Sequence, residues 1–223
     1  GTGLTSYAGT GLKGVIVTPP FEAPTYVKDT PADPEPPVVA TAPADDTVPL
    51  VVSLASVPGV KRCAIAPSGT EACWELADPA MTDIPTGFLY GNTDLTGTLK
   101  VGPAVGTIGN YAFAYSKLTG LDLSKASSLV EIGAWAFSDT DLGGTLVIPA
   151  KVTTIGAAAF YNTKLTGTLK VGPAVKTIGG SAFQGTKVTG LDLSKATSLV
   201  EIGHSAFSAT ELEGTLEAPP RSR

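Results

Sequence analysis

Apolar and polar residues alternate along this chain in short segments that recur at a nearly constant interval. The dipeptide Ile-Gly recurs at spacings of 23 or 24 residues, and a phenylalanine follows each isoleucine five residues later. These positions are Ile108, Ile132, Ile155, Ile178 and Ile202, followed by Phe113, Phe137, Phe160, Phe183 and Phe207. Self-similarity at such a period is typical of solenoids, in which each unit packs only against its neighbours.

Each unit begins with a segment that carries apolar residues at alternate positions. The pairs are Leu99/Val101, Leu121/Leu123, Leu146/Ile148, Leu169/Val171 and Leu191/Leu193. A period of two predicts a strand with both residues of the pair facing inward. The glycine of Ile-Gly suits a tight bend or a close backbone approach, and the Ala-Phe that follows is predicted to be a buried anchor. Because no unit can hold a helix of mean length beside two strands, the sequence predicts a mainly β solenoid of 23- to 24-residue coils.

The solenoid also contains a longer duplication. Residues 95–141 recur as residues 165–211 at a constant offset of 70, and 12 of the 47 aligned positions differ. Coils of three kinds therefore alternate along the chain. The function expected of such an array is binding or scaffolding through an extended surface.

The regular pattern defines three regions, residues 1–20, 21–82 and 83–223. In the first region, Gly14 to Pro19 match Gly144 to Pro149, so the chain is expected to open within a repeat that is preceded by more repeats or covered by another element. In the second, the stretch from Asp29 to Pro49 has six prolines and five acidic residues with no Lys or Arg. Such a stretch favours extended conformations, which predicts a linker or a surface-hugging arm ahead of a small β-hairpin.

Cys63 and Cys73 flank the turn of that predicted hairpin. Facing cysteines on hairpin strands could form a disulfide, which would imply an oxidising compartment. The alternative is two separate thiols in a reducing compartment. Their spacing is too wide for a Cys-x-x-Cys redox or zinc site.

Composition narrows the classes of partner. The formal net charge is −5, which argues against nucleic acid, since Lys and Arg on phosphates supply most of that affinity. It argues equally against docking on an anionic membrane surface. No apolar run approaches the roughly 18 residues that span a bilayer.

The expected compartment is the cell surface, the secreted fraction or an organelle lumen rather than the cytosol.

The repeat resembles a known family. The pattern Leu-x-Ile-Pro-x-x-Val-x-x-Ile-Gly-x-x-Ala-Phe, clearest within Leu142 to Phe160, is similar to the BspA-type leucine-rich repeat, also called the Treponema-pallidum type. The resemblance covers residues 84–218 and a fragment at 1–20. Departures are the threonines Thr140, Thr163 and Thr210, where the family often has Cys or Asn, and the insertion at 21–82. The resemblance implies a curved β-solenoid, a role in adhesion or protein–protein contact, and no catalytic residues.

The residues themselves point away from catalysis. His204 is the only histidine, and its counterpart in the duplication is Ala134. Nothing supplies the acid that would orient it for Ser/His/Asp chemistry. No cluster of His, Cys or carboxylates has metal-ligand spacing. No phosphate-binding loop occurs. The sequence therefore predicts no catalytic residue, no metal site and no cofactor.

The outward middle residue of each long strand forms the candidate partner-binding face, which comprises Lys100, Asp122, Val147, Lys170, Asp192 and Glu217. At a strand spacing of about 4.8 Å, Lys100 would face Asp122 and Lys170 would face Asp192. Each such pair would contribute a few tenths of a kcal/mol. A solvated, self-neutralising role is favoured for each residue, and binding for the face as a whole.

A second row carries Thr98, Thr145, Thr168 and Thr215, and is interrupted by glycine at 120 and 190. Thr-rich rows occur in ice-binding solenoids, so ice or glycan binding is the alternative function. The main expectation is a non-enzymatic interaction module, either a scaffold or linker subunit of a larger, possibly multi-subunit, protein complex or a surface adhesin. Its partners would be other proteins.

Overall fold

The computed structural model describes residues 54, 57–63 and 73–213, together with the backbone of two strands at 16–17 and 215–216. The described residues form short strands joined by turns, with no α-helix among them. The predicted mainly β solenoid is confirmed. The acidic arm lies outside the described residues, so its predicted conformation stays a prediction.

One side of the solenoid is built from six strands, of which all but the two-residue β9 are four to seven residues long. They are β3 (Cys73–Leu76), β5 (Thr96–Val101), β7 (Lys117–Asp122), β9 (Gly143–Gly144), β11 (Lys164–Lys170) and β13 (Lys187–Asp192). They pair in parallel, as expected when each coil returns in the same direction. We call this side the long-strand face.

Two-residue strands form a second, continuous sheet of six. They are β4 (Asp83–Ile84), β6 (Thr107–Ile108), β8 (Glu131–Ile132), β10 (Thr154–Ile155), β12 (Thr177–Ile178) and β14 (Glu201–Ile202). In each the isoleucine is buried, so the Ile-Gly dipeptide marks where this sheet meets the core. The following glycine has the close backbone approach that its sequence context predicted. A Cβ on Gly156, for example, would lie 2.4 Å from the backbone nitrogen of Ala134 in the preceding coil.

A column of phenylalanines runs through the core. The five rings of Phe113, Phe137, Phe160, Phe183 and Phe207 are fully buried and stacked, with centroids 5.2–5.5 Å apart. In the first coil Tyr90 would be expected in this position, since it precedes Leu95 by five residues as Phe113 precedes Leu118, but it does not take it. Leu89 occupies it, since its backbone N–H donates to Ala112 as that of Phe113 donates to Ala136. Tyr90 is left half-exposed beside it.

Both ends of the stack carry strands from outside the regular repeats. β2 (Val60–Arg62) pairs antiparallel with β3, which itself pairs in parallel with β5. β3 thus continues the ladder of the long-strand face ahead of β5, and Trp74 and Leu76 contribute to the core. The Sγ atoms of Cys63 and Cys73 are bonded, with 5.3 Å between their Cα atoms.

Two described residues of the N-terminal repeat fragment lie at the other end. β1 (Ile16–Val17) pairs in parallel with β15 (Thr215–Leu216), the strand after the last described coil. A segment whose sequence matches a repeat thus extends the ladder beyond the C-terminal coil. This pairing gives the terminal strand a hydrogen-bonding neighbour from the start of the same chain.

Candidate partner-binding surfaces

The long-strand face brings five of the six predicted residues into one row. Lys100 is the register partner of Asp122, and Lys170 is that of Asp192. Val147 joins the row through a parallel bridge to Lys170. Glu75, which the sequence did not single out, continues the row on the other side of Lys100. Glu217 lies outside the described residues.

The two aspartates of this row are held by local hydrogen bonds. The Ser124 hydroxyl and backbone N–H lower the pKa of Asp122, with a smaller contribution from Lys100. Ser194 acts in the same way on Asp192 and lowers the pKa of that carboxyl, helped by Lys170. Both carboxylates therefore stay charged at neutral pH, and the row alternates in sign on either side of Val147.

The ladder is interrupted in the middle of this face. β7 ends a four-stranded sheet and β9 ends a separate three-stranded sheet, so the pairing stops between Asp122 and Val147. The interruption leaves a cavity of about 400 Å³ lined by Leu121, Asp122, Leu123, Ser124, Thr145 and Val147. A second cavity, of about 280 Å³, lies on the other side of Val147 and reaches Lys170, Asp192 and Lys195. Four of the predicted face residues thus line two adjacent concavities.

The threonine row beside this face is not a regular array. A Cβ placed on Gly120 would lie 2.6 Å from the Thr98 hydroxyl oxygen, and one on Gly190 would lie 2.8 Å from that of Thr168. Each threonine side chain leans over the glycine of the next coil. The hydroxyls are therefore not presented at one spacing along the row.

The turns that follow the two-residue strands, such as residues 85–92, 109–116, 133–140 and 156–163, stack into a ridge. This ridge carries a surface feature that the sequence pattern did not reveal. Five aromatic residues gather there, and we call them the aromatic cluster: Tyr90, Tyr111, Tyr115, Trp135 and Tyr161. The Tyr90 ring lies 5.5 Å from that of Tyr115 and 6.5 Å from that of Tyr111, inclined at 67° to both. Trp135 stacks on Tyr111 at 6.1 Å and contacts Tyr161 at 5.6 Å. Tyr115 is 44% exposed.

The carboxylate of Asp139 lies beside the aromatic cluster. Asp139 accepts hydrogen bonds from Asn162 Nδ2, at 2.7 Å, and from the Ser138 hydroxyl, at 2.9 Å. Partial burial, and then the neighbouring Asp139, raise the pKa of Tyr115. Tyr115 is therefore a neutral phenol at physiological pH.

A signal for the cluster does exist in the sequence. Of the 12 differences between the duplicated segments, four fall on its members and on Asp139. Tyr111, Tyr115, Trp135 and Asp139 are replaced by Ser181, Gly185, Ser205 and Ala209. Where one copy of a duplication departs from the other at surface positions that lie together, a local function is the natural hypothesis.

Other candidate chemistry does not assemble. His204 is exposed on the ridge, near the C-terminal end of the stack. Within the described part of the chain, no three His, Cys, Asp or Glu residues are placed to hold a metal ion. Nor does that part contain a helix that is long and apolar enough to cross a membrane.

These features define the class of protein as a leucine-rich-repeat solenoid. Residues 106–216 match the BspA-type leucine-rich repeat region in six copies. The repeats of this chain belong to that family, as the pattern within Leu142 to Phe160 indicated. Neither the curated proteins nor the solved structures contain a match to the chain. Leucine-rich-repeat solenoids are typically protein–protein interaction modules and are generally not enzymes.

Proposed function

We propose that this protein is a non-enzymatic module that binds another protein on its long-strand face, as a scaffold or linker subunit of a larger assembly or as a surface adhesin. The observation that carries the proposal is the interruption between β7 and β9. One concavity lies at this interruption, beside Val147, and a second lies on the other side of the same residue, within a row that the sequence had already singled out.

The composition of these concavities suits a protein partner. Val147 is 55% exposed and stands between the two cavities, with the half-buried Leu121 lining the larger one. Asp122 and Lys170 stand on either side of this apolar centre. An apolar centre within a polar rim is the usual anatomy of a protein interface. An apolar side chain of the partner would fill the cavity while its charged neighbours meet Asp122 and Lys170.

The proposal is tested by site-specific photocrosslinking. A photoreactive amino acid at position 147 is expected to capture a discrete protein partner in the native source. The same group at position 200 is the control, because Val200 is 62% exposed but lies beside the short strand β14. Equal capture at both positions would show that the long-strand face is not the binding surface.

A substitution provides the second arm. Val147→Lys is expected to preserve the fold, because Lys170 already occupies the same row. It should weaken binding because a charge replaces the apolar anchor, a loss of about 1–3 kcal/mol for a central contact. Unchanged partner affinity in a folded Val147→Lys protein would count against the proposal.

A further inference from the structure

The duplicated coils show that the aromatic cluster is not required by the fold. The two copies keep the same isoleucines and phenylalanines and the glycine after each isoleucine, and their coils pair in the same register. Only one copy has aromatic residues at 111, 115 and 135 and a carboxylate at 139. The other copy folds with serine, glycine and alanine in these places. The side chains of the cluster therefore serve something other than the coil.

The backbone conformation at these positions does not favour bulky side chains. Tyr111, Tyr115, Trp135 and Asp139 all have left-handed φ angles, from 53° to 59°. Bulky side chains are disfavoured there, and glycine is the residue that suits the conformation. Gly87 and Gly91, in the preceding coil, and Gly185 show that the ridge accepts glycine at these points. The same φ recurs at the equivalent positions of the other coils, among them Ser181, Ser205 and Ala209, so the conformation belongs to the coil and does not itself call for aromatic residues.

The charge around the cluster indicates which ligand it suits. The turn segments 85–92, 109–116, 133–140 and 156–163 contain no Lys or Arg, and Asp139 is their only charged residue. The nearest cation on the following strand, Lys117, lies 3.9 Å from a different carboxylate, that of Asp141. The ring faces and Asp139 are both electronegative. An arginine can stack on an aromatic face while its guanidinium hydrogen-bonds a carboxylate.

We propose that Tyr90, Tyr115, Trp135 and Asp139, with the buried Tyr111 stacked against Trp135, form a second binding site, which takes an arginine side chain of a partner protein. This site lies on the turn ridge and is separate from the long-strand face. The Tyr90 and Tyr115 rings contact each other edge to face at 5.5 Å, so the guanidinium would stack on an outer ring face of this pair, with Asp139 as the anion beside Tyr115. The chain already uses this chemistry elsewhere, where the Arg62 guanidinium lies 5.2 Å from the Trp74 ring centroid.

The direct test uses nuclear magnetic resonance with a minimal probe. The full chain is titrated with N-acetylarginine amide to about 50 mM, because a few cation–π contacts support only millimolar affinity. N-acetylglutamine amide is the neutral control. The two tryptophans make the readout specific. The Trp135 indole resonance is expected to shift with the arginine probe alone, while that of Trp74, already paired with Thr96 and Arg62, stays unchanged.

The duplication supplies matched variants that the fold is known to accept. Tyr115→Gly and Asp139→Ala install the counterpart residues and should each raise the Kd of the arginine probe by about 2- to 30-fold, the range for one lost contact of this kind. In the opposite direction, Ser181→Tyr, Gly185→Tyr, Ser205→Trp and Ala209→Asp transplant the site to the second copy. Tyr161 already stands there in the position that Tyr90 has in the first copy. The quadruple variant should bind a second equivalent of the probe.

The outcomes decide the proposal. A shift of Trp135 by arginine but not glutamine, lost in Tyr115→Gly and gained at the transplanted site, supports it. Equal shifts with the glutamine probe would make the cluster a neutral contact surface and overturn the arginine assignment. No shift of Trp135 with either probe, or a shift that survives both Tyr115→Gly and Asp139→Ala, would also overturn it.

Discussion

The rings of Phe160 and Phe183 lie 5.2 Å apart at the centroids and within 6° of parallel, although 23 residues separate them. Each is fully buried, and each belongs to a different coil. The contact therefore joins two coils through residues that are far apart in the sequence. Coil-to-coil stacking of this kind is what allows a solenoid of short strands to hold a continuous core.

Phe160→Ala is expected to destabilise the solenoid by about 3–5 kcal/mol, because it removes a large buried side chain from the middle of the column. Urea unfolding followed by circular dichroism measures the change. Val147→Ala, at a position 55% exposed, is the control and should change stability little. A midpoint for Phe160→Ala close to wild type would contradict the stacked-coil core.

Gly156→Ala is expected to be strongly destabilising, by about 3–5 kcal/mol. Its Cβ would lie 2.4 Å from the backbone nitrogen of Ala134, so two coils would have to separate. Gly106→Lys is the matched control, since a Cβ there has no neighbour nearer than 3.4 Å and its counterpart in the duplication is Lys176. Thermal melts should place the control near wild type and Gly156→Ala well below it. Similar melts for the two variants would contradict the close approach of the coils.

Ser116→Thr is expected to stabilise the protein by about 1 kcal/mol. The buried Ser116 hydroxyl has no hydrogen-bond partner, whereas its counterpart Thr186 donates to the carbonyl of Phe183 at 2.8 Å. Thr140, Thr163 and Thr210 make the same bond in other coils. Chemical denaturation should show the gain, and Thr186→Ser should show a loss of similar size. Destabilisation by Ser116→Thr would mean that the second coil has no room for the extra methyl group.

Stability is expected to fall in acid through Asp122 and Asp192. Their folded pKa values are lowered by Ser124 and Ser194, so their contribution is present above the unfolded pKa of about 3.9 and is lost as pH falls through the folded values. Ser194→Ala should lower the urea midpoint at neutral pH and have a smaller effect once the pH has fallen below the folded pKa of Asp192, where the carboxyl is protonated in both states. An equal effect at both pH values would assign Ser194 a role unrelated to the Asp192 charge.

Ile16→Pro is expected to weaken the pairing of β1 with β15, because proline lacks the N–H of a ladder residue. Hydrogen exchange at Thr215 and Leu216 should become faster. Ala32→Pro, within the already proline-rich arm, is the control and should leave that exchange unchanged. If protection of Thr215 and Leu216 survives Ile16→Pro, the N-terminal strand does not protect the end of the solenoid.

The sequence by itself determined the coil. Apolar residues at alternate positions, the Ile-Gly dipeptide and the recurring phenylalanine specify which atoms face inward, and these local patterns sufficed to predict the solenoid, its period and the row from Lys100 to Asp192. They could not show that Leu89 replaces Tyr90 in the phenylalanine column, because that choice depends on backbone hydrogen bonds to the next coil.

Only the tertiary structure decided where neighbouring coils fit well and where they do not. Three features depend on how different coils, or opposite ends of the chain, meet in space. They are the interruption beside Val147, the cluster of Tyr90, Tyr115 and Trp135, and the pairing of Ile16–Val17 with Thr215–Leu216. Such features depend on the register between units in space. A periodic sequence predicts only the average register between coils. Both proposed binding sites lie where the coils depart from that average, and these departures can be seen only in the stacked structure.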